Sequence, residues 1–320
     1  MEHSCSDLIS ALRTSLRQLI LRRLGASVIV LIMASVLVFA LSRASGDPRN
    51  LFLSEYTTAE QWEQWGKDYG LDKPYPIQYL TWLKGAVLMD FGKSVKEQIP
   101  ATTVVRRKIL PTLQLAIGAY AFAIAVGVPL GILSATKRGS NIDLIARSFA
   151  LIGQASPGFW LGIMLILLFS VQLGWLPAGG REEGKSIILP AITLGWFAAA
   201  ALLRLTRSAM LEVLDSEYVK LARAKGVPET MIIWKHAFRN AITVPLTFAG
   251  LFLTALLTGA VVTETVFAWP GLGRLAVQSV FGTDFPVMSA IVLFATAGYL
   301  LMNLFVDILY GILDPRIRHS

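Results

Sequence analysis

Residues 215–240 read DSEYVKLARAKGVPETMIIWKHAFRN, a basic stretch beside two windows, 186–203 and 240–263, that contain no Asp, Glu, Lys or Arg. The part from 212 to 225 is charged and rich in good helix formers, with no Gly or Pro before Gly226. Gly226 can end that helix in the left-handed conformation. Pro228 suits the first turn of a second helix, and Glu229 puts a favourable charge at its N-terminus. The stretch therefore predicts a two-part helical hairpin, 212–239, inserted between two apolar spans. A membrane protein interrupted in this way offers a docking surface to something in the cytoplasm.

Composition supports a membrane protein. Mean hydropathy is +0.59; 54% of the 320 residues are hydrophobic and 16% charged, which is far from the balance of a soluble domain. Windows free of Asp, Glu, Lys and Arg also occur at 24–42, 109–136, 148–180 and 285–306. A bilayer core of roughly 30 Å needs about 20 apolar residues per helix, and each window can supply one. The 148–180 window is too long for a simple span. Ser156-Pro157 offers an N-cap and a first-turn proline, so the buried helix is expected to start there, with 148–155 near the interface. The expectation is an all-α integral membrane protein with six transmembrane helices.

Positive charge sets the orientation. With the N-terminus inside, the inner segments carry Arg13, Arg17, Arg22, Arg23, Lys137, Arg138 and Arg147, seven Lys/Arg in 204–239, and Arg316 and Arg318. The two short outer loops carry only Arg181, Lys185 and Arg274. The outer loop 43–108 carries ten, but loops beyond about 60 residues translocate largely regardless of charge. Both termini are thus expected in the cytoplasm. The net charge of +8 reflects this bias and not a nucleic-acid partner. The first apolar stretch, 24–42, exceeds the roughly 7–15 residues of a signal core and reads as a retained anchor. The single cysteine, Cys5, excludes an intramolecular disulfide.

The loop 43–108 is organised. Thr58-Ala59-Glu60-Gln61 has capping-box form, with Trp62 and Trp65 on one helix face. Pro74 and Pro76 break the chain before Tyr79 and Trp82, aromatics suited to the headgroup level. Interfacial packing is preferred there over a contact surface for an external partner.

Two nucleotide patterns fail on context. Gly179–Ser186 fits G-x-x-x-x-G-K-S, but it lies between membrane spans, and Glu182 and Glu183 would repel phosphate. Gly271–Ala276 fits a dinucleotide fingerprint without a βαβ unit around it. His3, His236 and His319 are isolated, so no metal-ligand spacing or catalytic set emerges, and the chain is read as a non-enzyme that binds no nucleotide. Intramembrane polar residues such as Gln114, Gln154, Gln172, Asn240, Thr254, Thr258 and Asn303 are sparse. Neither internal repeats nor mid-membrane charges favour a secondary transporter or channel. Gly127 and Gly131, around Pro129, are expected to allow close helix packing and a bend.

The loop Glu264–Asp284 combines the breakers of Trp269-Pro270-Gly271-Leu272-Gly273 with apolar Leu275, Ala276 and Val280. Non-helical backbone at membrane depth is tolerated only when buried in protein or lining a cavity. Trp269, Pro270, Gly271, Leu272 and Gly273 are therefore the candidate outer gate.

A series of ordered motifs carries a family resemblance. The hairpin Glu217-Tyr218-Val219, Ala222-Arg223-Ala224-Lys225-Gly226, His236-Ala237-Phe238-Arg239-Asn240-Ala241 and Pro245 resembles the EAA loop of binding-protein-dependent ABC importers, nearest the dipeptide/oligopeptide/nickel permease group. Ser45-Gly46-Asp47-Pro48, Tyr69-Gly70-Leu71-Asp72-Lys73-Pro74, Gln78-Tyr79-Leu80 and Asp90-Phe91-Gly92-Lys93-Ser94 follow the same group. So do Leu110-Pro111-Thr112-Leu113, Gly174-Trp175-Leu176-Pro177, Glu264–Gly273 and Asp314-Pro315-Arg316. One departure stands out: where the EAA signature places a Glu and two Ala before the Gly, this chain has Lys220, Leu221 and Ala222.

The resemblance implies a type I ABC importer transmembrane domain in the bacterial inner membrane. It implies a permease core over 111–320, preceded over 1–110 by tail, anchor helix and periplasmic loop. Implied partners are a second homologous permease, two cytoplasmic ATPase subunits, which use the ATP, and an external substrate-binding protein. Glu217, Tyr218, Ala222, Arg223, Ala224, Lys225 and Gly226 would couple to the ATPases. Di- or oligopeptides are the expected cargo, within a group that also carries glutathione, nickel complexes and oligosaccharides.

Overall fold

The structure, a computed structural model, describes residues 5–44, 46, 49, 58–68 and 70–313. Its main helices are α1 (Cys5–Ala44), α2 (Ala59–Asp68), α3 (Tyr75–Val87), α4 (Ala101–Thr136), α5 (Asn141–Ala155), α6 (Gly158–Leu165), α7 (Ile188–Leu214), α8 (Glu217–Ala224), α9 (Thr243–Val266), α10 (Leu272–Phe281) and α11 (Phe285–Leu313). Among the described residues the extended backbone amounts to one isolated bridge, Lys93 to Pro100. Two compact units are formed, one from Met1–Leu110 with Leu275–Ser320 and one from Pro111–Arg274.

In the first unit α1 packs on α3 and α11. Its buried side is narrow: Ser35, Val38 and Phe39 turn inward, while Val28, Ile29, Ile32, Met33, Val36 and Leu37 are exposed. Exposed aliphatics along a helix this long are what a lipid-facing surface requires. Phe39 meets Tyr79 and Trp82 of α3 at ring-centroid distances of 5.5 and 5.8 Å. The capping box at the start of α2 is present in both directions: Gln61 N donates to Thr58 Oγ1 at 3.3 Å and Thr58 N to Gln61 Oε1 at 3.1 Å. Trp62 lies under the Arg49 guanidinium at 3.4 Å. The side chain of Trp65, its expected companion, lies outside the described residues.

The second unit is built around α7. Some 67% of the apolar window of Gly184–Leu214 is buried, against 17% for Ile20–Ala44. Small residues explain the difference. Ala198, Ala199 and Ala200 are fully covered, and glycines let the neighbouring backbones close in. A Cβ at Gly127 would collide with the Ala199 carbonyl, and one at Gly131 with the Leu203 carbonyl and Thr206. Both glycines thus serve the close packing of α4 on α7.

Among the described residues, four helices are long and apolar enough to cross a membrane: Ile20–Ala44, Ala101–Thr136, Gly184–Leu214 and Phe285–Ile308. The number rises to six if each of two bent pairs is one span. The first pair, α5 with Gly158–Gln172, bends by 115°. Here the expectation for 148–155 needs refinement. Those residues continue α5 to Ala155, and the chain breaks at Ser156-Pro157, with Pro157 at the N-cap of α6 and no side-chain cap bond. The second pair, Glu229–Ala241 with Thr243–Leu256, bends by 53°.

Candidate functional site

The predicted hairpin is present. Its first limb is shorter than the expected 212–225: residues 212–214 still belong to α7, the chain turns at Asp215-Ser216, and α8 starts at Glu217. The second limb runs through Glu229–Met231, a π-helical segment Ile232–Phe238 and Arg239–Ala241. Gly226 takes φ +77°, the left-handed conformation, with open space around it. Two backbone bonds close the turn, Gly226 N to Arg223 O at 2.9 Å and Val227 N to Ala222 O at 3.2 Å, the pairing of a Schellman C-cap. Pro228 occupies the N-cap of the second limb, one place before its expected position, and Glu229 opens the helix.

Charge and hydrogen bonds staple the two limbs. Arg223 donates from Nη2 and Nε to Glu229 at 2.7 and 3.2 Å. The Glu229 carboxylate raises the Arg223 guanidinium above its ordinary pKa. Within the first limb, Lys220 pairs with Glu217 at 2.8 Å. Tyr218 Oη donates to the His236 carbonyl and accepts from Asn240 Nδ2 at 2.9 Å. These contacts give Tyr218 a positioning task between the limbs.

The hairpin has two faces. Val219, Ile232 and Ala237 are fully buried in one cluster with Ile132 and Ala135 of α4 and Met210 and Leu214 of α7. On the opposite side Tyr218, Leu221, Met231 and Trp234 are exposed, Trp234 by 59%. Ala224, Lys225 and Gly226 are exposed as well, and Ala222 is half-buried against the cluster. An amphipathic hairpin with its inner face already filled presents an outer apolar face that no part of the described chain covers.

Beneath it lies an ion pair that the sequence reading did not find. Asp143 on α5 has a side chain 2% exposed and accepts from Arg207 of α7 at 2.8 Å (Nε) and 3.1 Å (Nη2). Ser134 Oγ on α4 donates to the same carboxylate at 2.6 Å and the Gly139 amide at 3.0 Å. The carboxylate ties the end of α4 and the start of α5, with the turn between them, to Arg207 two turns inside α7. The partners stand 64 residues apart, a distance no local pattern bridges.

The candidate gate is folded inward. Trp269 is 2% exposed, and its Nε1 donates to the Pro111 carbonyl at 2.9 Å. Glu264 is fully buried near the end of α9. It accepts from Thr112 Oγ1 at 2.7 Å, from Arg274 N at 2.9 Å and from the Gly273 amide. Leu272 N donates to Thr112 Oγ1 at 2.8 Å. The carboxylate therefore caps the start of α10, where the first-turn amides have no partner within the helix.

This geometry corrects one expectation. Only the turn between α9 and α10 is irregular, and the chain from Leu272 to Phe281 is helical. It also bears on the dinucleotide fingerprint. The anion position at that helix N-terminus is filled by Glu264, and a Cβ at Gly271 would collide with it. The phosphate-loop pattern is likewise built into turns: Gly180 N donates to Phe267 O at 2.9 Å, and Gly184–Ile187 is a short 3-10 segment leading into α7. Among the described residues, no three His, Cys, Asp or Glu side chains stand close enough to hold a metal ion.

Comparison with known proteins adds a second line of observation. Residues 127–319 match the family described as binding-protein-dependent transport system inner membrane component, and residues 15–122 match the family of its N-terminal part. The chain is 40% identical over 336 residues to the dipeptide transport system permease protein DppB of Escherichia coli (strain K12), covering 95% of this chain and 99% of that one. It is 38% identical over 312 residues to the oligopeptide transport system permease protein AppB of Bacillus subtilis (strain 168), covering 94% and 99%. Among solved structures, the native crystal form of the inward-facing MetNI methionine ABC transporter is similar in fold. Its TM-score is 0.55 at 22% identity, over 66% of this chain and 96% of that chain.

Proposed function

Because the chain belongs to the family of binding-protein-dependent transport system inner membrane components, we propose that it forms half of the translocation pathway of an ATP-driven importer of di- or oligopeptides. A second, homologous permease supplies the other half. Two cytoplasmic ATPase subunits hydrolyse the ATP, and an external binding protein delivers the cargo. The chain crosses the inner membrane six times, counting each bent helix pair as one span, with both termini in the cytoplasm. The permease core is 111–320.

The observation that carries this reading is the two-faced hairpin. Closure of the ATPases on ATP pulls on the outer face through Tyr218, Leu221, Met231 and Trp234. The filled inner face passes that displacement to α4 and α7 as a rigid contact, because close-packed side chains transmit strain. Glu217, Tyr218, Ala222, Arg223, Ala224, Lys225 and Gly226 form the coupling element, with Tyr218 and Arg223 holding its two limbs together. Trp269, Pro270, Gly271, Leu272 and Gly273 form the outer gate, a turn pinned through Glu264 and Trp269 to Pro111 and Thr112 within α4. The relatives named for dipeptide and oligopeptide transport support the peptide assignment.

The test is uptake into vesicles holding the complete complex. Labelled di- or tripeptide is expected to accumulate with ATP and binding protein, and not with an imposed proton or sodium gradient alone. Gradient-driven uptake without ATP overturns the importer class. Tight binding of a metal chelate or sugar, and of no peptide, by the partner binding protein overturns the cargo alone.

A further inference from the structure

The first unit carries an open apolar cavity of about 350 Å³ that neither the hairpin nor the gate uses. Its walls are Ile32 and Ser35 of α1, Leu83 and Val87 of α3, and Leu293 and Ala297 of α11. The one wall hydroxyl is already committed: Ser35 Oγ donates to Ile32 O at 2.7 Å and meets Tyr79 Oη at 2.8 Å. A water molecule needs two to four polar partners to occupy a cavity, and this lining leaves it none among its side chains. An unfilled void forfeits dispersion contacts on every wall. Between membrane-spanning helices, hydrocarbon is the material at hand to fill it.

The cavity also has a direction. Leu83 and Val87 wall a second, shallower groove of about 370 Å³ whose other lining residues are Leu80, Leu88 and Lys84. One apolar track thus runs from between α1 and α11, across α3, and ends at an ammonium group. Val87 and Leu88 are 73% and 72% exposed. Lys84 is exposed, and its ammonium meets no carboxylate among the described residues. Tyr75, Tyr79 and Trp82 lie on the same helix, the residue types that settle at headgroup level.

We infer that this track binds a phospholipid with an anionic headgroup, one acyl chain lying in the cavity and the phosphate resting on Lys84. The hydrocarbon stem of Lys84 can lie along the groove while its charge stays at the polar boundary. The cavity supplies retention and the lysine supplies headgroup preference. One exposed lysine facing an anionic headgroup favours it by up to about five-fold, the upper end for an exposed ion pair. The inference does not depend on the transported substrate.

The experiment uses the complete complex in nanodiscs containing phosphatidylglycerol or phosphatidylethanolamine with a photoreactive group on the acyl chain. Cross-linked peptides are quantified by mass spectrometry. The phosphatidylglycerol probe is expected to mark residues 83–89 and 293–297 up to about five-fold more than the phosphatidylethanolamine probe. Lys84→Gln, on an exposed position, is expected to equalise the two probes, and Ala297→Trp, which fills the cavity, to remove both signals. Leu293→Trp is a second filling variant should Ala297→Trp fail to insert. Equal labelling by both probes in the unaltered protein overturns the inference, as does labelling insensitive to both tryptophan variants. A photo-cross-link to the second permease from a benzophenone side chain placed at position 88, with no lipid labelling, also overturns it by showing a protein occupant.

Discussion

Replacing Asp143 by alanine removes the buried carboxylate at the helix junction beneath the hairpin. Four hydrogen bonds at 2.6–3.1 Å are lost, from Arg207 Nε and Nη2, the Ser134 hydroxyl and the Gly139 amide. Arg207 Nε keeps only Ser134 Oγ at 3.0 Å, and Arg147 loses an ion-pair partner at 3.5 Å. Removing one partner of a buried pair costs about 3–5 kcal/mol, because the other charge is left buried and uncompensated. Arg207 keeps 22% exposure, so water relieves part of that cost and the lower end, ~3 kcal/mol, applies. The comparison is Arg138–Asp215, whose side chains are 67% and 73% exposed; such a pair contributes ~0–1 kcal/mol. At about 2–4 °C per kcal/mol for a domain of this size, Asp143→Ala should lower the apparent melting midpoint of the purified complex by ~6–12 °C. Asp215→Ala should shift it by less than about 4 °C. The double replacement Asp143→Leu with Arg207→Met removes both charges and should recover most of the loss. Equal midpoints for Asp143→Ala and Asp215→Ala would refute the reasoning.

Other outcomes follow from the same geometry. Gly131→Leu places a side chain against the Leu203 carbonyl and Thr206 and should destabilise by at least ~1–3 kcal/mol, read as reduced membrane levels and a lower midpoint; unchanged levels would exclude close α4–α7 packing. Glu264→Ala leaves the first-turn amides of α10 uncapped and should cost about 1–3 kcal/mol, whereas Glu264→Gln, which keeps an acceptor for Thr112 and the amides, should cost less. A cysteine replacing Leu272, in a Cys5→Ser background, should react with a membrane-impermeant thiol reagent faster or slower according to whether ATP is present. Equal rates in resting and ATP-trapped complexes remove the turn from the gate.

What was legible in the sequence was local. The capping box at Thr58–Gln61, the left-handed Gly226 and the close-packing glycines Gly127 and Gly131 each follow from one residue type doing what its geometry allows. The bend at Ser156-Pro157 was half legible. Proline marks a boundary, but nothing nearby says that α5 continues helically up to it and then turns by 115°. The helix Leu272–Phe281 was hidden by its own punctuation, since Gly271 and Gly273 read as breakers. Gly271 makes room for Glu264 and Gly273 for Val261 and Glu264; a sequence shows Glu264 as an acid near a loop, and the fold shows it as a buried cap. Asp143 and Arg207 meet only after α4, α5 and α7 have packed. Pairings of that kind belong to tertiary structure, and they are where sequence reasoning stops.

The central claim is that the 212–239 hairpin couples ATP hydrolysis to transport. Gly226→Asp tests it most directly. The position has open space around it, so the substitution costs about 1 kcal/mol of backbone strain and leaves the chain inserted. It also adds a charged side chain to the tip of the docking face. In vesicles containing the complete complex, with the variant present at normal levels, ATP-driven peptide uptake should be lost. Uptake equal to that of the unaltered protein would contradict the account.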